Sequence, residues 1–102
     1  MFGDLLGNLQ QQQEEMRKKL AQVNIEAEVA DGAVVVKANG NKEILDIKID
    51  PEKLDWNDQE QVLDLIIAAV NRAIETASDK EKEEAQQMMQ NMLPPGLGNL
   101  FG

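Results

Sequence analysis

Between Leu6 and Val23 the apolar positions fall at Leu6, Leu9, Met16, Leu20 and Val23, and the polar Gln13 completes alternating steps of three and four residues. That spacing is the a/d seam of a heptad and predicts an amphipathic helix with a narrow apolar stripe. The intervening residues are mostly Gln, Glu and Lys, with no proline and no glycine after Gly7, so propensity favours helix as well. The period then drops to two. Ile25, Ala27 and Val29 alternate with Glu26 and Glu28; Asp31-Gly32 separates them from a run over 33–38, and Asn39-Gly40 separates that run from another over 43–50. Asp-Gly and Asn-Gly between β-rich runs predict two tight type I′ hairpins, because both central residues of that turn need positive φ. The result is an antiparallel meander of three strands. One face collects Ile25, Ala27, Val29, Val34, Val36, Ala38, Leu45, Ile47 and Ile49. The other carries Glu26, Glu28, Lys37, Asp46 and Lys48, so the sheet is expected to be covered on one side only.

Pro51 stops the third strand, and either Asn57 with Glu60 or Asp58 with Gln61 can cap a second helix. Its apolar positions Leu63, Ile66, Ile67, Val70, Ala73, Ile74 and Ala77 form a broad stripe suited to lying on the sheet. After Asp79 the stripe thins to Ala85, Met88, Met89 and Met92, and Pro94-Pro95-Gly96 ends the helix. Unbroken from Asp58 to Met92 it has 35 residues, and so spans roughly 50 Å. Strands of six to eight residues extend only about 20 to 27 Å, so the far half of the helix must lean on something else. The first helix is the nearest candidate, and two such arms still leave apolar surface open. A homodimer is therefore expected, with Leu9, Met16, Leu20, Met88, Met89 and Met92 as the arm positions available for contact. The expected fold class is α+β: a two-layer α-β-β-β-α unit with a three-stranded antiparallel meander and two amphipathic helices, one unusually long. It forms a single domain over 1–102, with 1–5 and 94–102 as flexible termini.

A chain of 102 residues, 42% hydrophobic and 28% charged, supports one folded domain and not two. Cysteine and histidine are both absent, which removes disulfides, thiolate metal sites and the commonest general base. No glycine-rich phosphate loop, nucleophile elbow or calcium-loop pattern occurs. The expectation is a non-enzymatic protein with no cofactor, no metal and no small-molecule substrate. Met1 to Leu9 lacks the basic and apolar regions of a signal peptide, no stretch approaches a membrane span, and Phe2 stands where myristoylation needs glycine. A cytoplasmic protein without membrane contact is expected. The lone Trp56 reads as a packing plug at a helix start, and the echo of Leu6-Gly7-Asn8-Leu9 in Leu97-Gly98-Asn99-Leu100 reads as a pair of apolar-tipped termini.

Several stretches, taken in order, resemble the YbaB/EbfC family. They are Leu6-Gly7-Asn8-Leu9 before a Gln- and Met-containing helix, Gly32 before alternating valines, Asn39-Gly40, Ile49-Asp50-Pro51, the segment from Asp64 to Ala73, and Leu93-Pro94-Pro95-Gly96. The resemblance covers nearly the whole chain. It implies a bacterial nucleoid-associated protein whose dimer projects paired helices like tweezer arms, and which binds double-stranded DNA with limited sequence stringency and influences gene expression.

That implication meets a charge of −9 and a pI near 4.3, which oppose attraction to phosphate. The net charge is 0 over residues 1–23, −3 over 24–54 and −6 over 55–102, so the first helix is the surface least hostile to a polyanion. Candidate phosphate contacts on the arms are Arg17, Lys18 and Lys19, then Arg72, Lys80 and Lys82. All of them except Arg17 are read as solvated pairs on a helix face: Glu14 for Lys18, Glu15 for Lys19, Glu75 for Arg72, Glu84 for Lys80 and Asp79 for Lys82. The competing reading keeps the same fold but makes it an acidic adaptor that holds a protein partner and does not touch DNA.

Overall fold

A computed structural model describes residues 2–92, with side-chain surroundings for 3–91. The element order is α1 (Phe2–Ala21), β1 (Asn24–Val29), β2 (Val34–Asn39), β3 (Ile44–Ile49), a short 3-10 turn (Pro51–Lys53) and α2 (Gln59–Met92). The α+β class and the α-β-β-β-α order match the periodicity. The turn that ends the helix and the second copy of the Leu-Gly-Asn-Leu motif lie outside the described residues.

The strands form one antiparallel sheet in the order β1-β2-β3. Ile25 stands opposite Ala38, Ala27 opposite Val36 and Val29 opposite Val34, while Val34 and Val36 face Ile49 and Ile47 on β3. These residues share the face that α2 covers. Its core is Ile25, Ala27, Val34, Val36 and Ala38 against Ala69, Ala73 and Ala77. On the open face, Glu26, Lys37 and Asp46 are aligned across the three strands. Opposite charges at neighbouring cross-strand positions favour this register.

Two sequence expectations are corrected here. First, a bulge between Lys37 and Ala38 shifts the register so that Ile44, not Leu45, stands opposite Ala38. An extra residue in one strand displaces every later side chain, and Leu45 is left 59% exposed, lining a shallow hollow with Glu26 and Lys37. Second, α2 meets the sheet through Ala69, Ala73 and Ala77, with Leu65, Ile66 and Val70 packed beside them, whereas Leu63 and Ile67, expected on the sheet, are 58% and 57% exposed. Alanines repeated every four residues let the helix axis come close to the strands, and the bulky positions are thereby turned to the flank.

The two hairpins are built differently. Asp31 and Gly32 adopt positive φ as their sequence predicts, together with Ala30. In the second, the positive φ belongs to Lys42 and not to Asn39 or Gly40, so the type I′ expectation fails. The loop is instead closed by the Asn39 side chain, whose Oδ1 accepts from the backbone N–H groups of Asn41 (3.0 Å) and Glu43 (3.2 Å) while its Nδ2 donates to Glu43 Oε1 at 2.9 Å. These bonds satisfy the amide of Asn39, which is itself buried. Gly40 is needed for close approach: its N–H donates to Leu20 O at 2.8 Å, and an added Cβ would sit 2.8 Å from that same oxygen. This contact, with the buried Leu20, docks the C-terminal end of α1 onto the sheet.

Helix α2 begins at the Asp58 cap, where Gln61 N donates to Asp58 Oδ1 at 3.1 Å, which decides between the two caps the sequence left open. Its 34 residues extend about 51 Å at 1.5 Å per residue, more than twice the length of six-residue strands, so the part beyond Ala77, its last core residue, projects past the sheet. The radius of gyration is 19.0 Å, against about 13 Å for a compact chain of this length. The excess is the arm.

Two glycine substitutions should therefore act in opposite directions. Gly40→Ala forces α1 away from the hairpin and is expected to cost about 1–3 kcal/mol. Gly7→Ala meets nothing within 4 Å on an exposed helix and should add roughly 0.5–1 kcal/mol. Urea unfolding followed by circular dichroism measures both.

Candidate nucleic-acid interface

The arm has two sides, α1 and the distal half of α2, running antiparallel. They meet at Lys19 Nζ and Glu84 Oε2, 2.8 Å apart, and again across a groove of about 210 Å³ where Gln12 and Met16 face Met88 and Asn91. The Glu84 side chain is only 18% exposed, and Lys19 is its ion-pair partner. Lys42, at the tip of the β2–β3 turn, reaches Glu81 at 3.6 Å, and Asn41 Nδ2 donates to Arg17 O at 2.8 Å. One body loop thus holds both sides of the arm.

The six candidate cations are not brought together. Lys19 is committed to Glu84, a pair between helices where the sequence suggested Glu15. Arg72 donates from Nη1 to the backbone oxygen of Glu28 at 2.8 Å, so it ties α2 to β1 and does not pair with Glu75. Lys80 pairs with Glu83 at 3.3 Å, one residue short of the expected Glu84, which Lys19 already occupies. Arg17, the one cation the sequence reading left without an intrahelical pair, lies 3.8 Å from Glu14 three residues before it, a long and exposed contact of the kind that contributes little. Among the described residues Lys18 and Lys82 make no ion pair. Lys82 stands among Asp79, Glu81, Glu83 and Glu84, so its local field is acidic.

Arg17 and Lys18 remain. They line a hollow of about 360 Å³ with Ala21, Asn41 and Glu43, beside the turn that carries Lys42. Asn41 and Lys42 were missed by the sequence reading, because nothing local says that this turn docks on α1. Of the expected contact residues between copies, Leu20 is buried in its own subunit, Met16 and Met88 line the groove within the arm, and Leu9 and Met89 are exposed. The side chain of Met92 lies outside the described residues.

An apolar surface that the sequence did not single out lies at the sheet's other edge. Arg72 faces β1, so the opposite flank of α2, bearing Leu63, Ile67, Val70 and Ile74, is turned toward β3. There Ile44 and Ile47 are 37% and 40% exposed on β3, an edge strand paired on one side only.

Comparison with known proteins fits this architecture. The family model of the YbaB/EbfC DNA-binding family matches residues 1–92. The chain belongs to that family. A nucleoid-associated protein of Koribacter versatilis is 40% identical over 96 residues, covering 94% of this chain and 95% of the relative. One from Clostridium novyi is 39% identical over 89 residues, covering 87% and 78%. The crystal structure of an uncharacterised Helicobacter pylori protein superposes with a TM-score of 0.73 at 24% identity, covering 86% of this chain and 92% of that one, which supports the fold. No helix among the described residues is long and apolar enough to cross a membrane, and none of their acidic side chains are grouped to hold a metal ion.

The Arg72 contact separates a structural cation from a binding one. Arg72→Ala should lower stability by about 1 kcal/mol, the net value of one such hydrogen bond at a partly solvated site, while leaving the helix content of the native state unchanged. Thermal unfolding by circular dichroism reads both quantities.

Proposed function

We propose that this protein is a homodimeric nucleoid-associated protein that binds double-stranded DNA with low sequence stringency, so that it influences nucleoid organisation and gene expression. Membership of a DNA-binding family carries the reading, and the arrangement of cations supports a specific contact. Arg17 and Lys18 are exposed at the base of the arm, on the one segment of the chain that is not net negative, and neither is held in a close ion pair. Lys19, Arg72 and Lys80 are engaged within the subunit. The contact is therefore with the phosphate backbone, through few charges per subunit, and a two-fold dimer doubles the set. Phosphate contacts position a protein on the duplex without reading bases, which accounts for low stringency.

The dimer rests on the flank of α2 and the β3 edge. Leu63 and Ile67, with Ile44 and Ile47, make an exposed apolar surface beside an open strand edge. A soluble chain covers such a surface with a self-complementary copy more economically than with water.

Fluorescence anisotropy of labelled duplex DNA across a salt series tests the DNA contact. Affinity should fall with a log–log slope of roughly −0.9 per phosphate contacted, and Arg17→Ala with Lys18→Ala should flatten that slope by about 2 per subunit on every sequence tried. Arg72→Ala should leave it unchanged. Failure to bind even at low salt would overturn the reading in favour of an acidic adaptor for a protein partner.

Sedimentation velocity at micromolar concentration tests the assembly. The wild-type chain should run as a dimer, and Leu63→Asp with Ile67→Asp should run as a folded monomer. A monomeric wild type would refute the proposed interface.

A further inference from the structure

Three basic residues stand where the β2–β3 loop meets the end of α1, and one of them comes from the loop. The hollow beside Arg17 and Lys18 is completed by Asn41 and Glu43, the residues on either side of Lys42, so the backbone of Lys42 lies at its rim. The loop is fixed there from several directions. Asn41 Nδ2 donates to Arg17 O at 2.8 Å, Gly40 N donates to Leu20 O at 2.8 Å, and Lys42 N donates to Asn39 O at 3.1 Å. Lys42 itself has a φ of 66°, a conformation that a residue other than glycine keeps only where its surroundings impose it. Its charge is therefore carried on a fixed backbone by a flexible four-carbon stem.

Among the described residues two ion pairs join separate elements of the subunit, and they differ in how easily they exchange. Lys19 lies 2.8 Å from Glu84, whose side chain is mostly buried, so removing that lysine would strand a carboxylate away from water. Lys42 lies 3.6 Å from Glu81, and the two side chains are 40% and 46% exposed. A long, solvated pair of this kind contributes little, and Glu81 stays hydrated when it loses its partner. An incoming phosphate has only that weak contact to displace.

We propose that Lys42 is a third phosphate contact in each subunit: when a duplex lies across Arg17 and Lys18, Lys42 leaves Glu81 and takes a neighbouring phosphate. The inference rests on the DNA reading above and adds a competition to it. Without DNA the acidic arm holds the cation; with DNA the phosphate replaces the carboxylate, and affinity is lowered by the strength of the pair given up. Glu81 is thus a competitor built into the arm, whereas Glu84 holds the two sides of the arm together and takes no part in the exchange.

A double-mutant cycle read by fluorescence anisotropy of labelled duplex DNA tests this. Lys42→Asn removes the charge and keeps a residue that tolerates positive φ, and it should flatten the log–log salt slope by about 0.9 per subunit. Glu81→Gln should tighten binding by about two- to fivefold at fixed salt, the range that exposed pairs span. In the Lys42→Asn background the same Glu81→Gln change should give a clearly smaller gain, because no pair remains to compete. Equal gains in both backgrounds would show that Glu81 acts by its charge alone and would overturn the competition. A slope unchanged by Lys42→Asn would overturn the contact, including the case in which affinity falls through damage to the loop. If the slope still responds to Arg17→Ala with Lys18→Ala, the DNA reading survives either result; a wild-type chain that does not bind DNA overturns both.

Discussion

The close seating of α2 on β1 and β2 through Ala69, Ala73 and Ala77 governs the rest of the molecule. Small residues at that face bring the helix near enough to seal Val34 and Val36 completely, but they cover only the width of two strands. Two consequences follow from geometry. Leu63 and Ile67 of the same helix are rotated to a flank where they stay exposed, and the third strand keeps an open edge. The helix also outruns the sheet, because six residues of strand match only about a dozen residues of helix in length. A bulkier face would have raised the helix and spread the core over three strands, leaving less apolar surface open.

The arm is joined to the body by a different kind of interaction. Its apolar anchor is Leu20 against Gly40, and its other ties are polar: Asn41 to the Arg17 carbonyl and Lys42 to Glu81. Exposed ion pairs of this kind contribute a few tenths of a kcal/mol up to about 1, so the hydrophobic anchor and the backbone bond from Gly40 fix the position, and the charges orient what the anchor already holds. The β2–β3 loop acts as the common joint. Asn39 shapes it, Gly40 admits the helix end, and Asn41 and Lys42 reach to either side of the arm.

Element order, the antiparallel meander, the one-sided cover and the overlong helix were legible in the sequence because each rests on local periodicity or on length. The apolar face of β1 and β2 was legible as well. The rotation of α2 was not: Leu63, Ile67 and Ala69 all fall within reach of a broad stripe, and only contact with the sheet decides that the alanines go inward. The Asn39-Gly40 turn was misread for a related reason, since a dipeptide that favours positive φ was placed by tertiary contact at Leu20 instead. The candidate cations could be named, but their partners could not. Helical spacing suggested Glu15 for Lys19, and the fold supplies Glu84 from another element. Lys42 gave no local signal at all, because its position depends on two helices converging on one loop.

The distribution of those pairs bears on how an acidic protein approaches a polyanion. A charge of −9 repels DNA at long range, but exposed charges more than a Debye length apart, about 8 Å at physiological salt, are largely screened from one another. What matters at contact is the field within that distance of the phosphate. Beside Arg17 and Lys18 stand Glu14 and Glu43, and Glu43 is already engaged by Asn39. Along 79–84 four acids surround two lysines, so a phosphate there would meet net repulsion even with Lys82 unpaired. Much of the negative charge lies on α2, where it balances Lys19 and Lys42. The acidic residues of the far arm and the cations at its base therefore do different things, and the sign of the whole chain is a poor guide to the part that would face the duplex.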